Sequence, residues 1–226
     1  GNLSDVLLRD LDARLTYLRK LQKRKEEIAG SIEEQGKLTH ELAAAIDKAA
    51  TLQEAEDLYL PYKQKKKTRA SMAKEKGLEP LANKVYLQLD TEADLAEDAK
   101  NYINPEKGVE TAEDALQGAM DIIAETISDN ADYRKKIRRM VTEKGAVKST
   151  VTKAFAEEKT EFENYYDYGE PVKKIANHRV LALNRGEKRK VLAVKIVDPA
   201  EDILAYLKKS ILRDKASGYL VSAIED

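Results

Sequence analysis

A chain of 226 residues with 42% hydrophobic content can bury a real core, as one large domain or two small ones. Charged residues reach 36%, and only 10 Gly and 5 Pro interrupt them, a balance that favours long solvated helices. Forty basic residues against 41 acidic ones give a net charge of −1, so the total marks no nucleic-acid or membrane partner and any electrostatic site is local. Zero Cys excludes a disulfide framework, a thiolate zinc site and a cysteine nucleophile, and fits a reducing cytoplasm. No apolar run approaches the roughly 20 residues that span a bilayer, and the start lacks a signal-peptide layout, so a soluble, cytoplasmic chain without a membrane partner is expected. The missing initiating Met, and an end at Ala223-Ile224-Glu225-Asp226 without a helix stop, suggest a piece of something larger.

Ser4 is a plausible N-cap, and from there apolar residues recur at Leu7, Leu8, Leu11, Leu15, Leu18, Leu21 and Ile28. Steps of three and four predict one long amphipathic helix that stops near Gly36. A second helix is expected after Thr39, burying Leu42, Ala45 and Ile46, and Thr51-Leu52-Gln53-Glu54 reads as a capping box for a third that runs into Pro61. Residues 63 to 69 contain no apolar side chain and predict an exposed basic connector. Thr68 then caps a helix through Lys76, Gly77 supplies a left-handed stop, and Pro80 falls in the first turn of the next helix. That layout is helix-turn-helix-like, a shape shared with helical hairpins that never touch DNA.

After Asn104-Pro105, Thr111 to Asp114 cap a helix lined by Leu116, Met120, Ile123 and Ile127, and Asn130 caps another that reaches Gly145. Between Val147 and Phe155 the pattern is ambiguous: Val147, Ser149 and Val151 alternate as in a strand, whereas Val151 and Phe155 fit a helical step, and helix is preferred. Residues 165 to 171 break the helical rhythm. Asn177 caps a helix that Gly186 ends, Val191 to Val197 is a strand signal, and Asp198-Pro199 opens a final helix with Ile203, Leu204, Leu207 and Leu212 inward. The expected fold is mainly α, a multi-helical array with at most one or two short strands near 191–197. Its divisions are expected at 1–104, 105–200 and 201–226.

Local charge offers the sharpest functional signals. Lys63, Lys65, Lys66, Lys67 and Arg69 form one basic run, Arg134, Lys135, Lys136, Arg138 and Arg139 a second, and Arg185, Lys188 and Arg189, with Lys190, a third. Such runs can neutralise phosphates while Tyr59, Tyr62 or Tyr133 stacks on bases, or they can be solvated helix faces balanced by nearby Glu and Asp. Catalysis has little to stand on. His40 and His178 sit without a second ligand at metal spacing, no Ser nucleophile elbow or glycine-rich dinucleotide loop is present, and the acidic residues alternate with Lys and Arg as helical pairs. Gly30 to Leu38 superficially resembles a phosphate-binding loop but fails: its glycines are six apart, Leu38 stands at the Ser/Thr position, and no strand precedes it. No enzyme, metal site or cofactor is therefore expected.

The stretch Asp57-Leu58-Tyr59-Leu60-Pro61-Tyr62-Lys63, followed by Lys66-Lys67-Thr68-Arg69-Ala70 and Ala73-Lys74-Glu75-Lys76-Gly77-Leu78-Glu79-Pro80, resembles the signature of the bacterial Tex family of transcription accessory proteins. Further agreement comes from Ser31 to Thr39, from Phe162 with Tyr165-Tyr166-Asp167-Tyr168, and from His178 to Glu187. The resemblance implies a helical part of a multidomain protein, followed by a resolvase-like domain, helix-hairpin-helix motifs and a nucleic-acid-binding S1 domain, with 201–226 as the start of the connection to the resolvase-like domain. It implies a scaffold that assists RNA or DNA binding, with RNA polymerase or ribosome-associated factors as further partners. The alternative is a protein-interaction module without direct nucleic-acid contact, whose mark is an exposed apolar patch. A third reading, hydrolysis of nucleic acid, needs clustered acidic metal ligands.

Overall fold

Ser4 accepts a hydrogen bond from Leu7 N and starts α1 (Asp5–Glu34), which ends where Gly36 takes φ +67°. The computed structural model describes residues 4–65 and 67–226. Thr39 and Thr51 cap α2 (His40–Lys48) and α3 (Leu52–Tyr59) through their hydroxyls, as their sequences predict. The long helix is there, but half of its leucine face is not used. Leu21, Ile28 and Ile32 pack with Ile46, Ala49 and Ala55, whereas Leu7, Leu8, Leu11, Leu15 and Leu18 are 41–55% exposed. Helices α2 and α3 reach a helix about 45 Å long only from Tyr17 onward, where the Tyr17 hydroxyl accepts from Leu52 N at 3.0 Å.

Thr68 and Ser71 form a capping box for α4 (Arg69–Glu75), Gly77 turns the chain at φ +82°, and α5 (Glu79–Leu87) carries Pro80 in its first turn. Helices α6 (Glu92–Ala99) and α7 (Ala112–Asp129) follow, each opened by a Thr–Asp capping box. Helix α7 is the hub: α4, α5, α6 and the last helix, α11 (Gly218–Glu225), all pack on it. Gly118 of α7 makes the hairpin fit, because a Cβ there would lie 2.3 Å from Leu78 Cδ1. Leu78, which follows the exposed Gly77 at the turn of the α4–α5 hairpin, is thus buried against α7, and α5 has one basic residue, Lys84, held by Asp98 at 2.6 Å.

Asn130 accepts from the amides of Asp132 and Tyr133 to open α8 (Ala131–Lys144). The next residues overturn the helical expectation for Val147 to Phe155. They form β1 (Ala146–Val151), the centre of a three-stranded antiparallel sheet, β2-β1-β3, with β2 (Asp167–Pro171) and β3 (Leu192–Val197). The sheet has one strand more than the one or two expected near 191–197, in a fold that is otherwise mainly α. The alternation at Val147, Ser149 and Val151 wins because these positions share one face of the sheet, where Val147 packs on a core of Phe162, Leu183, Val191 and Leu192. Ser149, 1% exposed, donates to Tyr165 O at 2.6 Å.

Helix α9 (Asn177–Lys188) starts one residue early, with Ala176 at the N-cap and no side chain capping it, so Asn177 is its first residue and not the predicted cap, and it does not end at Gly186. Gly186 lies inside it because Leu192 Cδ1 and Cγ stand 2.5 and 2.8 Å from where its Cβ would be. The stop is Lys190, at φ 60°, with Val191 N bonded to Gly186 O and Lys190 N to Glu187 O. Glu170 of β2 takes Arg179 of α9 bidentately at 2.7 and 2.8 Å, and Tyr168 and Arg179 together hold the Glu170 carboxyl below its usual range. Helix α10 (Ala200–Ile211) buries Leu207 and Ile211, with Leu212 beyond its end, and α11 follows as a further helix.

Contacts divide the chain into two compact units, one of residues up to Arg134 together with Arg213–Asp226, the other Lys135–Leu212. These boundaries differ from 104 and 200 because α7 and α11 belong to the packing of the first unit.

Candidate nucleic-acid interface

The first basic run belongs to the first unit, and two of its five residues, Lys65 and Arg69, are paired with carboxylates there. Asp121, Glu125 and Asp129 lie one turn apart along α7 and form an acidic edge. Lys65 pairs with Asp129 and, at 3.6 Å, with Glu125, its side chain only 24% exposed. Arg69 pairs with Asp226 and, at 3.6 Å, with Asp121, and these carboxylates hold its guanidinium above its ordinary range. Lys63 and Lys67 are exposed and have no ion pair among the described residues, and Lys66 lies outside the described residues. Tyr59 and Tyr62 are half-buried against the α1 core, and the Tyr59 hydroxyl lies 3.0 Å from Ser31 Oγ, so both rings already have a packing role.

The second run straddles the boundary. Arg134 turns inward to Asp57, whose side chain is 4% exposed, at 3.1 Å, and donates to Ser128 O. Tyr133 and Arg138 are half-buried and Lys135 is exposed. Lys136 Nζ lies 5.9 Å from the Tyr206 ring centroid, and Arg139 pairs with Glu143 at 2.8 Å. In the third run Arg189 pairs with Glu161 and sits over Phe162, while Arg185 and Lys188 are exposed without an ion pair among the described residues. The runs therefore do not share one unit, and their arginines are mostly engaged.

Charge is nevertheless strongly divided. The unit Lys135–Leu212 holds 18 Lys and Arg against 11 Asp and Glu, a formal charge of +7. The remainder holds 22 against 30, a formal charge of −8. The near-neutral total conceals this segregation.

Two basic residues outside the runs stand out in the positive unit. Antiparallel register places Lys148 of β1 directly beside Lys195 of β3, both exposed on the face opposite the core. Three rows cross that face: Pro171, Ala146 and Val197; Gly169, Lys148 and Lys195; Asp167, Thr150 and Ala193. Lys148, Lys195, Thr150, Asp167 and Ala193 of the lower two rows line, with Ser149, Tyr168 and Val194, a recess of about 450 Å³. Neither lysine has an ion-pair partner among the described residues. A helical assignment for 147–155 hides this pair; the alternation of Lys148 and Thr150 with Val147, Ser149 and Val151 carries it.

Both histidines are exposed, and among the described residues no group of three or more His, Asp or Glu is placed to hold a metal ion. No helix of the described residues is long and apolar enough to cross a membrane.

The family model described as Tex central region-like matches residues 90–216. The chain is 46% identical over 230 residues to the Uncharacterized protein YdcI of Bacillus subtilis, covering all of this chain and 32% of that protein. It is 42% identical over 196 residues to Protein tex of Bordetella pertussis, covering 87% of this chain and 24% of that one. It is 30% identical over 204 residues to the human S1 RNA-binding domain-containing protein 1, covering 87% and 20%. The chain thus spans about a third or less of the length of these relatives. With the family match extending over more than half of its residues, from α6 through the basic unit to the start of the last connection, the chain belongs to the Tex family.

Proposed function

We propose that this chain is a non-enzymatic helical scaffold of a transcription accessory protein that assists RNA or DNA binding, with contact made by the Lys135–Leu212 unit. The observation that carries this reading is the segregation of charge, +7 on that unit against −8 on the rest. A polyanion is attracted to the first and repelled by the second. Relatives named for transcription accessory and S1 RNA-binding proteins support a nucleic-acid partner. Fluorescence anisotropy with a labelled single-stranded RNA and a duplex DNA tests it. Affinity is expected to fall steeply with salt, by about 0.7 to 0.9 in log slope per phosphate contacted. No binding of either probe at low ionic strength overturns the reading.

A second reading, docking on the transcription machinery, is favoured by the exposed leucines of α1. Its test is capture by purified RNA polymerase that Leu11→Ser/Leu15→Ser abolishes, with nucleic-acid affinity unchanged. Capture that the substitutions leave intact rejects that face as the docking surface.

A further inference from the structure

We infer that the open face of the β2-β1-β3 sheet is a phosphate-binding site, in which Lys148 and Lys195 together hold a backbone phosphate of a nucleic-acid strand. The inference rests on the nucleic-acid reading above and locates it on residues outside every basic run.

Like charges directly opposite one another on a sheet are destabilising, with Cβ atoms about 5 Å apart in such a pair. Lys148 and Lys195 are such a pair, and among the described residues no carboxylate forms an ion pair with either. An anion seated between the two ammonium groups converts that repulsion into a two-point clamp. Elsewhere in the molecule the basic side chains that face acidic neighbours are paired with them, as at Lys65, Arg69 and Arg134. This pair is left open.

The surroundings fit a phosphate. Gly169 brings no side chain to the middle row, and the Lys148 stem runs close beside it: Cγ lies 3.7 Å from where a Cβ would stand on Gly169. Ala193 and Thr150 keep the next row low, and Thr150 adds a hydroxyl. The three rows carry no aromatic residue, and Tyr168, which also borders the recess, packs its ring against Tyr165 in the core, so the face reads backbone phosphate and not stacked bases. Asp167, opposite Thr150, closes the positive zone on one side.

Protection of a sheet edge is the competing explanation, since lysines on edge strands discourage unwanted pairing. It accounts for Lys195 on β3. It does not account for Lys148, which sits on the central strand with a paired neighbour on either side.

The test uses the whole chain in two arms. In the first, inorganic phosphate is titrated while the amide resonances of Lys148, Gly169 and Lys195 are followed by NMR. Saturable shifts that vanish in Lys148→Gln/Lys195→Gln support the site, and their absence overturns it. In the second arm, the double variant is expected to lose roughly tenfold in affinity for single-stranded RNA at about 0.1 M salt, with the log slope falling by about 0.7 for the one phosphate released. Lys195→Glu separates binding from folding: it replaces a repulsive pair with an attractive one, so its melting temperature holds or rises while affinity falls. A wild-type chain that binds RNA as tightly as the double variant overturns the strand assignment and leaves the nucleic-acid reading standing. Phosphate shifts with no binding of either single-stranded RNA or duplex DNA overturn both the strand assignment and that reading. Aggregation of Lys195→Gln, with unchanged binding in Lys148→Gln, identifies edge protection and overturns the clamp.

Discussion

The two units differ in how much of their positive charge is paired inward, although Lys63 and Lys67 of the first stay exposed without an ion pair among the described residues. In the first, cations are drawn into the structure: Arg24 lies on Glu56 and over the Tyr59 ring, Lys65 and Arg69 meet the acidic edge of α7, and Arg134 reaches a nearly buried Asp57. In the second, Arg139, Arg179 and Arg189 pair locally, but Lys148, Lys195, Arg185 and Lys188 face solvent without an ion pair among the described residues. A basic run in a sequence is therefore a poor guide to an available basic surface. What the facing element presents decides whether a lysine is a structural cation or an open one.

Arg134 is the sharpest place to break this comparison. Removing it leaves Asp57, 3% exposed, without its guanidinium partner. Breaking a buried pair from one side costs about 3–5 kcal/mol, and the partial exposure of Arg134 lowers the expectation for Arg134→Ala to about 2–3 kcal/mol. Asp57→Ala/Arg134→Ala recovers part of that loss, since the buried carboxylate, which Gln53 Nε2 cannot neutralise, is then gone. Chemical denaturation of the two variants measures the difference. Nucleic-acid affinity is expected to stay within about twofold of wild type at Arg134→Ala, a loss of at most one weak contact. A large affinity loss with unchanged stability would reverse the roles assigned here to Arg134 and Lys148.

Gly186 probes the packing of the second unit. A methyl at this position meets Leu192 at its branch point, and Phe162 Cδ1 at 3.3 Å, so the neighbours cannot simply swing a side-chain tip aside. Overpacking of this kind costs about 1–3 kcal/mol, against a helix-propensity gain of about 1 kcal/mol for leaving glycine. Gly186→Ala is expected to destabilise by about 1–2 kcal/mol in a thermal or denaturant transition. A stabilised variant would mean that α9 is free to move away from β3.

These residues also show why the sequence was readable in some places and not in others. Helix starts were legible because a capping hydroxyl and the amide it binds are three residues apart, as at Ser4, Thr39, Thr51, Thr68 and Thr111. The stop at Gly186 was misread because a glycine can be required by a neighbour distant in the chain as well as by its own backbone. The exposed half of α1 was invisible for a similar reason: periodicity shows that a face is apolar, not that anything covers it. In the 147–155 stretch the strand and helix periods overlap over too few residues, and partners at 167–171 and 192–197 decide between them. The site suffered most, since pairing of Lys65, Arg69 and Arg134 with carboxylates far along the chain has no local signature.

Lys190 gives the smallest effect and the cleanest separation of charge from stability. It holds φ 60° at the end of α9, a conformation that costs a residue with a Cβ about 1 kcal/mol and glycine almost nothing. Its amide bond to Glu187 O, and that of Val191 to Gly186 O, use only the backbone, so Lys190→Gly keeps both. The variant is therefore expected to gain about 1 kcal/mol in a denaturant titration while one cation leaves the positive unit. Its effect on RNA affinity should then be small, because a single exposed charge contributes one screened contact at most. If Lys190→Gly instead weakens RNA binding as much as Lys148→Gln/Lys195→Gln does, the contact lies at the end of α9, and the open sheet face is not the part of this unit that touches the strand.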